Sequence, residues 1–280
     1  MAYDGYGLLA VEGPDEDGVL VVTLNRPEKL NTTSPQMYEE LSSLMRKLRN
    51  PIDVGAVVIT GAGRAFCAGV DINALGEFAE EPFRTSVMEG GVHMCHEFLR
   101  IRPPVISAIN GPAVGFGAAL ALLADIVYMA DTAIIADTHV KMGIVAGDGG
   151  ALLWPALIGP SRAKEFLMTG DKMDAATAHS LGLVNHVVPG DQLLEEAMEM
   201  ARRLAGGARH AIAWTKQLVN IPLIRTADYV LPLGNAHEAR TQSMPDMAEG
   251  AAAFLEKRAP SFPSSRPQPS ATAPASGGTR

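Results

Sequence analysis

The amino-acid sequence predicts an α/β fold in which helices cover mostly parallel sheets. Two observations support this prediction. Short, continuous apolar runs, which are typical of buried strands, alternate with segments whose apolar residues recur at helical spacing. After residue 150 the pattern becomes almost entirely helical. With 280 residues, of which 47% are hydrophobic, the chain can bury a large core.

The strands are predicted from runs rich in Val, Ile and Leu that end at turn residues. The run that begins at Val19 ends at Asn25-Arg26-Pro27, and the next run ends at Gly61. The full set of predicted strands comprises residues 19–24, 56–60, 105–109, 126–130 and 133–136.

The helices are predicted from apolar periodicity together with start and stop residues. Ser34 followed by Pro35 is an N-cap with proline at the first helical position, which predicts a helix over 35–49. Ser161 and Asp174 are further predicted N-caps, and Gly182 is a predicted stop. The other predicted helices cover residues 83–100, 117–123, 193–205, 208–220, 226–242 and 247–257.

Composition excludes several classes of function. The 23 basic and 31 acidic side chains give a net charge of −8 without any basic block, which argues against nucleic-acid binding. Prolines, glycines and Asn110 interrupt the apolar stretch 103–124, so we do not expect a membrane span. The polar first 17 residues do not resemble a signal peptide, and the two cysteines lack metal-ligand spacing. We therefore expect a cytoplasmic protein with reduced thiols and no metal.

Two glycine-rich loops are the strongest functional signal. The first is the sequence Arg-Ala-Phe-Cys-Ala-Gly-Val-Asp at residues 64–71. The second is Asn-Gly-Pro-Ala-Val-Gly-Phe-Gly-Ala-Ala at residues 110–119. Each loop follows a predicted buried strand. Glycine allows backbone amides to approach a ligand closely, and two convergent amides can stabilise the oxyanion of a thioester enolate.

These loops and other motifs resemble the crotonase (enoyl-CoA hydratase/isomerase) superfamily. The resemblance extends from about residue 18 to residue 262 and includes Leu-Asn-Arg-Pro at 24–27 and Leu-Met-Thr-Gly at 167–170. It implies a crotonase fold, with a spiral of ββα units over residues 1–199. It also implies a helical trimerisation region over 200–258, and homotrimers or hexamers built as dimers of trimers. The Pro- and Ser-rich residues 259–280 are predicted to be a disordered tail.

The resemblance also implies where an acyl-CoA substrate binds, with coenzyme A as part of the substrate and no separate cofactor. The amides of Ala68 and Phe116 would form the oxyanion hole. Lys29 and Lys257 match positions that contact CoA in relatives, although each is equally explained as a solvated surface charge. The complete set of implied substrate-binding residues is Lys29, Ala68, Gly69, Val70, Asp71, Gly115 and Lys257.

The two glutamates of hydratases are replaced in this sequence. The matching positions hold Ala119, which cannot transfer a proton, and His139, which can. Asp148 lies among glycines nine positions after His139, and a bend at 143–147 would bring the two side chains to one pocket wall. An aspartate near apolar groups could act as a general acid. His139 and Asp148 are the predicted catalytic pair, each with an ordinary structural role as the alternative.

One branch of the superfamily, typified by oxocamphor hydrolase, resembles the chain around Asp148. That resemblance adds Glu238 as a third catalytic candidate, with an exposed helix charge as the alternative. Phe116 departs from the branch, which has histidine there. The leading interpretation is a hydratase or isomerase of an acyl-CoA that passes through an enolate. The alternatives are a retro-Claisen hydrolase of a β-diketone and a non-catalytic CoA-binding protein.

Overall fold

A computed structural model describes residues 3–71 and 92–265, and it confirms the predicted α/β class. The strands of the described residues are β1 (Leu9–Glu12), β2 (Val19–Leu24), β3 (Ala56–Gly61), β4 (Val105–Ile109), β5 (Ala113–Val114), β6 (Ile126–Ala130), β7 (Ile134–Ala136), β8 (Met173–Asp174) and β9 (His186–Val188). All five predicted strands are confirmed to within one residue at their ends.

The strands of the described residues form two sheets. The larger has the order β1-β2-β3-β4-β6-β9, and the smaller has the order β5-β7-β8. In the larger sheet β1 is antiparallel to β2 and every other neighbouring pair is parallel. Val57 of β3 is paired with Val105 of β4, and every residue of these two central strands is buried. Both faces of the sheet are therefore covered, as the continuous apolar runs predict.

The helices of the described residues are α1 (Pro35–Lys47), α2 (residues 92–98), α3 (Phe116–Leu122), α4 (Gly150–Ile158), α5 (Pro160–Thr169), α6 (Ala175–Leu181), α7 (Leu193–Ala205), α8 (Arg209–Gln242) and α9 (Pro245–Leu255). Short 3₁₀ helices span Pro27–Lys29, His139–Met142 and Pro263–Ser265. The predicted helix over 83–100 lies partly outside the described residues. Residues 266–280 of the predicted tail also lie outside them.

Helix α1 illustrates how local sequence and packing agree. The Ser34 hydroxyl accepts a hydrogen bond from the Met37 amide, as a serine N-cap does. The apolar face of α1 is buried and includes Tyr38, Leu41 and Met45. Burial of this stripe stabilises the helix far more than its intrinsic propensity does.

Helix starts and stops are mostly predicted correctly. Asp174 caps α6 by accepting a hydrogen bond from the Thr177 amide (2.8 Å), and Gly182 ends that helix in the left-handed conformation. The prediction of Ser161 as an N-cap is wrong, because α5 begins one residue earlier, at Pro160, after Gly159. Proline is favoured at a first helical position, and it starts the helix before the serine is reached.

The prediction of separate helices over 208–220 and 226–242 is also wrong. Residues Arg209–Gln242 form one helix of 34 residues that contains Pro222 and Pro232. Each proline removes one backbone hydrogen bond. Ala227 and Leu231, both fully buried, hold the intervening segment against the rest of the protein. Tertiary packing therefore overrides the two local breaks.

The beginning of α8 is anchored to the large sheet by an ion pair. The ammonium of Lys216 lies 2.7 Å from the Asp125 carboxylate, and it also donates to the Pro103 carbonyl. The same Asp125 carboxylate accepts the amide hydrogen of Val105 at the start of β4 (2.7 Å). The Lys216 side chain is almost fully buried, so this contact fixes where α8 leaves the core.

The C-terminal helices pack on the segment that carries the predicted acids. Helix α7 packs on β2, β3, β4 and β6, and it crosses residue 200, where the helical region was predicted to begin. Helix α8 packs against α4, and α9 packs on the 3₁₀ helix His139–Met142. Within residues 3–71 and 92–265, no helix is long and apolar enough to cross a membrane.

Candidate active site

The two glycine-rich loops lie side by side where β3 and β4 end. The Cys67 amide donates to the Pro112 carbonyl (3.1 Å), and the Val114 amide donates to the Cys67 carbonyl (2.9 Å). A Cβ atom at Gly117 would lie 2.1 Å from the Cys67 carbonyl oxygen. Glycine at position 117 is therefore required for the close approach of the loops.

Asn31 supports the first loop. It is completely buried, and its Nδ2 donates to the carbonyls of Ala62 (2.9 Å) and Ala65 (2.8 Å). Its Oδ1 accepts from the Arg26 amide (2.9 Å). Its φ of 55° is left-handed, a conformation that asparagine adopts more readily than most residues. Asn31 thus holds in place two turn carbonyls that would otherwise be buried without a partner.

Asp71 closes the same loop through an ion pair. Its carboxylate lies 3.0 Å from the Arg26 guanidinium, and Arg26 also donates to the Thr32 carbonyl (3.2 Å). Asp71 is only 9% exposed. It was predicted among the substrate-binding residues, and in the structure its carboxylate is engaged in holding the loop.

The amide predicted for the oxyanion hole in the first loop is already used. The Ala68 N–H donates to the Leu30 carbonyl (3.0 Å), so this donor is occupied within the fold. The N–H groups of Val70 and Phe116 have no acceptor among the described residues. Val70 forms a parallel β-bridge with Thr33. The backbone hydrogen bonds of Thr33 in this bridge are made with Gly69 and Asp71, the residues on either side of Val70. Val70 and Phe116 therefore each offer an N–H that is not used within the described part of the fold, whereas the predicted donor Ala68 is occupied, which corrects that prediction.

Phe116 contributes an amide to α3 and a buried ring to the core. Its side chain is 1% exposed, and its ring centroid lies 4.7 Å from that of Tyr38. Burial, reinforced by the charge of Asp148, raises the pKa of Tyr38 well above 10, although a hydrogen bond with Thr33 opposes the shift. Tyr38 is therefore a neutral hydroxyl between the loops and the acidic residues.

The predicted pair of His139 and Asp148 is brought together, with Asp137 as a third member. His139 Nδ1 lies 2.7 Å from Asp137 Oδ1, and His139 Nε2 lies 3.3 Å from Asp148 Oδ2. The chain turns back between them at Gly143, whose φ is 71°. The expected bend over 143–147 is confirmed. Asp148 is largely buried, with 13% of its side chain exposed, and its Oδ1 has no hydrogen-bond partner in the part of the chain that the structure describes.

His139 is held in its charged form by these two carboxylates. Burial alone would lower the pKa of His139, but the charges of Asp148 and Asp137 outweigh it and raise that pKa well above 6.5. With both ring nitrogens protonated, each donates to a different carboxylate. Each ring nitrogen then has a fixed carboxylate partner, and the arrangement is suited to proton transfer.

Glu238 of α8 reaches the same cluster from the opposite side. A Cβ atom at Gly147 would lie 2.8 Å from Glu238 Oε2, and Gln242 Nε2 lies 3.3 Å from Glu238 Oε1. Burial, followed by the charge of Asp148, raises the pKa of Glu238 to about 8. Glu238 is therefore half-buried beside the acidic segment, with a pKa that favours the neutral carboxylic acid at neutral pH, and it is not the exposed helix charge of the alternative.

Ala119 lies directly behind the acidic segment. A Cβ atom at Gly149 would be 2.9 Å from the Cβ of Ala119, which is itself buried. Asp148 is therefore next to the position where hydratases that resemble this chain carry a glutamate. A longer side chain at 119 would collide with the segment that presents Asp148.

Of the remaining predicted substrate-binding residues, two border the loops and two lie on the surface. A side chain at Gly115 would contact His139 Cε1 at 3.5 Å, and one at Gly69 would lie 3.0 Å from the Val114 carbonyl, so both glycines border the loops. Lys29 and Lys257 are exposed. Lys257 has a φ of 53° at the end of α9.

Asp137, Asn31 and Tyr38 are site residues that sequence reasoning missed. Asp137 follows β7 directly and is 1% exposed, and a buried strand ending in Asp-Thr-His could have marked it. Tyr38 gave only the signal of a core residue in an amphipathic helix. Asn31 gave no signal, because its partners are carbonyls more than 30 residues away.

Comparison with known proteins agrees with this fold. The family model described as enoyl-CoA hydratase/isomerase matches residues 15–265. The "Probable enoyl-CoA hydratase" of Mycobacterium tuberculosis is 36% identical over 261 residues, which cover 92% of this chain and 98% of that protein. The 1,2-epoxyphenylacetyl-CoA isomerase of Escherichia coli is 34% identical over 250 residues, covering 88% and 95% of the two chains.

Solved structures give the same result. The crystal structure of an enoyl-CoA hydratase/isomerase from Mycobacterium paratuberculosis superimposes with a TM-score of 0.83 at 36% identity. The match covers 88% of this chain and 97% of that one. Taken together with the paired loops and the two-sheet architecture, these matches show that the chain belongs to the enoyl-CoA hydratase/isomerase family, with a crotonase fold.

Proposed function

We propose that this protein is an enzyme of hydratase or isomerase type that acts on an acyl-CoA thioester through an enolate. The amides of Val70 and Phe116 hold the thioester oxygen, and Asp148, His139 and Glu238 transfer the protons. The observation that carries the proposal is the position of Asp148, whose buried Oδ1 lacks a partner while its Oδ2 contacts His139 Nε2. One carboxylate oxygen is thus fixed and the other is available as a base.

Hydration of an enoyl thioester can be written with these groups alone. Asp148 accepts a proton from water as the water oxygen bonds to the β-carbon. The electron pair of the double bond moves toward the thioester, whose oxygen becomes an oxyanion held by the two amides. The neutral carboxyl of Glu238 then gives its proton to the α-carbon, and a proton returning from Asp148 to Glu238 restores the starting state.

Isomerisation uses the same groups without water. Asp148 removes a proton from the carbon next to the thioester carbonyl, and the electron pair forms the enolate. Glu238 delivers a proton to the γ-carbon, so that the double bond moves from the β,γ to the α,β position, and a proton passing from Asp148 to Glu238 restores the starting state. The charge states suit this division, because His139 stabilises Asp148 as a carboxylate and burial keeps Glu238 protonated. This assignment reverses the prediction that Asp148 is the acid.

The proposal is tested by the Asp148→Asn and Glu238→Gln variants on a panel of acyl-CoA substrates. We expect each to lower turnover by about 10²- to 10⁴-fold, the usual contribution of a positioned acid or base. Affinity for CoA esters should be unchanged. Asp17→Asn is the matched control, since that carboxylate also pairs with a cation, Arg202 of α7, but both side chains are about half exposed and neither belongs to the acidic cluster. Unchanged turnover in Asp148→Asn would remove this residue from the mechanism.

A second candidate is a hydrolase that cleaves a β-diketone by a retro-Claisen route. It is favoured by the His139–Asp148 contact, because a carboxylate oriented by an imidazolium can also activate water toward a ketone carbonyl. Water oxygen bonds to that carbonyl carbon, the adjacent C–C bond breaks, and its electron pair leaves as an enolate that Glu238 protonates. Turnover of a diketone without measurable CoA affinity would favour this reaction. Tight CoA binding with no turnover on any substrate would favour a non-catalytic role.

We also propose that the protein assembles as a homotrimer, or as a hexamer of two trimers. Large apolar side chains on α8 are exposed in the single chain: Trp214 at 56%, Leu218 at 68%, Val219 at 71% and Tyr229 at 79%. Such a surface is typical of a contact between subunits. Light scattering coupled to gel filtration tests this directly, and a monomer at micromolar concentration would contradict it.

A further inference from the structure

The residue that sequence reasoning did not identify, Asp137, has the most constrained position in the acidic cluster. It directly follows β7 and is 1% exposed. Its Oδ1 receives the Nδ1–H of His139 at 2.7 Å and also the backbone amide of His139 at 3.3 Å. These two bonds fix both the position and the rotation of the imidazole ring.

The second oxygen of Asp137 lies beneath the first residue of α4. A Cβ atom at Gly150 would be 2.1 Å from Asp137 Oδ2, so only glycine is accommodated there. The N-terminus of a helix favours a negative charge close to it. Asp137 Oδ2 has no hydrogen-bond partner among the described residues, and the helix and His139 are therefore its compensating neighbours.

We propose, on the basis of the function inferred above, that Asp137 is a positioning residue that fixes His139 as a doubly protonated donor directed at Asp148. Asp148 therefore enters the reaction as a carboxylate base, and the acid is supplied separately by Glu238. Without the bond to Asp137, the imidazolium would lose a proton more readily. The neutral ring no longer carries the positive charge that faces Asp148, and in the tautomer with its proton on Nδ1 the Nε2 atom is an acceptor and cannot donate to Asp148.

The charged and titratable groups around His139 come from several elements. Asp137 and Asp148 are in contact with its ring, and Glu238 approaches from α8. Tyr38 of α1 is a neutral hydroxyl close enough for the charge of Asp148 to raise its pKa further, after burial. From α9, Asp246 packs on Gly143 and is bonded to Ser264. Among residues 3–71 and 92–265, the positive charge in contact with Asp137 and Asp148 is that of His139, which balances one of its two carboxylate contacts.

The test is nuclear magnetic resonance of the full-length protein labelled with ¹⁵N at histidine, with His139→Gln to identify the signals of His139 among the seven histidines. In the parent protein we expect both ring nitrogens of His139 to stay protonated well above the pH at which an ordinary histidine titrates. In Asp137→Asn we expect the titration of His139 to fall by at least about one pH unit. This follows because one of the two carboxylate partners is lost, and one unit corresponds to a tenfold change in proton affinity.

Kinetics provide the second measurement. Asp137→Asn should lower kcat by about 10- to 100-fold with little change in KM, as expected for a residue that acts through another catalytic group. Asp17→Asn, which breaks only an exposed ion pair with Arg202, should alter neither kcat nor the titration of His139. Gly150→Ala, which displaces the Asp137 carboxylate without removing its charge, should reproduce the defect of Asp137→Asn in part.

The outcomes separate this inference from the proposed function. If His139 in the parent protein titrates like an ordinary histidine, or if Asp137→Asn leaves its titration unchanged, the role of Asp137 is refuted even when Asp148 is essential. If His139 holds both protons and no acyl-CoA is turned over, the proposed reaction fails and the positioning role stands. If Asp137→Asn unfolds the protein, the His139 titration in Gly150→Ala decides the question.

Discussion

Replacing Glu238 by glutamine should make the protein more stable at alkaline pH. The carboxyl of Glu238 is enclosed between α8 and the segment that carries Asp148, where burial and the Asp148 charge raise its pKa to about 8. In the unfolded chain the same carboxyl has an ordinary pKa near 4.5. Glutamine has nearly the same shape, keeps a hydrogen-bonding group toward Gln242, and cannot ionise.

The sign and size of the effect follow from proton linkage. Between about pH 4.5 and pH 8 the folded protein holds a proton at Glu238 that the unfolded chain has released, so the free energy of unfolding falls as pH rises. Each pH unit costs about 1.4 kcal/mol, and the full interval corresponds to about 5 kcal/mol as an upper bound. Because the shift is shared with Asp148, we expect the glutamine variant to gain about 2–4 kcal/mol at pH 8.5 relative to pH 5.

Urea unfolding at about pH 5 and about pH 8.5, followed by fluorescence of the buried Trp154 at one protein concentration, measures this difference. His139, whose raised pKa stabilises the fold at low pH and less so as pH rises through its folded value, is present in both proteins and largely cancels. Glu165→Gln, at an exposed position on α5, should follow the parent curve. Parallel stability curves for Glu238→Gln and the parent would refute the buried, neutral carboxyl.

Two further substitutions test the packing of the site. Asn31→Ala should lower the free energy of unfolding by about 3 kcal/mol, since it leaves the carbonyls of Ala62 and Ala65 buried and unpaired; a loss below about 1 kcal/mol would contradict this role. Gly147→Ala should reduce both stability and turnover, because the added Cβ would lie 2.4 Å from the carbonyl oxygen of α8 at position 234. Gly190→Ala, where the nearest atom is 3.7 Å away, should change stability by less than about 1 kcal/mol, and equal effects of the two would argue against a clash.

The elements that sequence predicts well are those specified by local pattern. Strands β2 and β4 and helix α7 were predicted with their observed bounds, because apolar runs and helical periodicity are short-range signals. Helix α8 was wrongly divided, because its continuity across Pro222 and Pro232 depends on the burial of Ala227 and Leu231 against distant parts of the chain. The two prolines are visible in the local sequence, but the packing that compensates for them is not.

In the site too, the features carried by local sequence could be predicted, and those that depend on distant contacts could not. The segments that carry His139, Asp148 and Glu238 could be recognised by their resemblance to relatives, and the structure brings all three side chains into one cluster. The choice of Ala68 as an amide donor failed, because the hydrogen bond that occupies it comes from Leu30, 38 positions away in the sequence. The protonation states could not be predicted either, since they depend on which carboxylate contacts which ring nitrogen.

Helix α8 supplies the acid, Glu238, and also supports the segment that carries the base, Asp148. The amide of Val145 donates to the Thr241 hydroxyl of α8 (3.2 Å). Any side chain at Gly147 would strike α8, and any at Gly143 would strike Asp246 of α9. The segment that presents Asp148 is thus held by backbone contacts to the two helices that follow it, one of which supplies Glu238. The packing of α8 on this segment sets the separation of the Asp148 and Glu238 carboxyl groups and shields Glu238 from water. A substitution that loosens α8 should therefore change the pKa of Glu238 and the position of Asp148 together. Its effect on turnover should not add to that of a substitution at either carboxyl group.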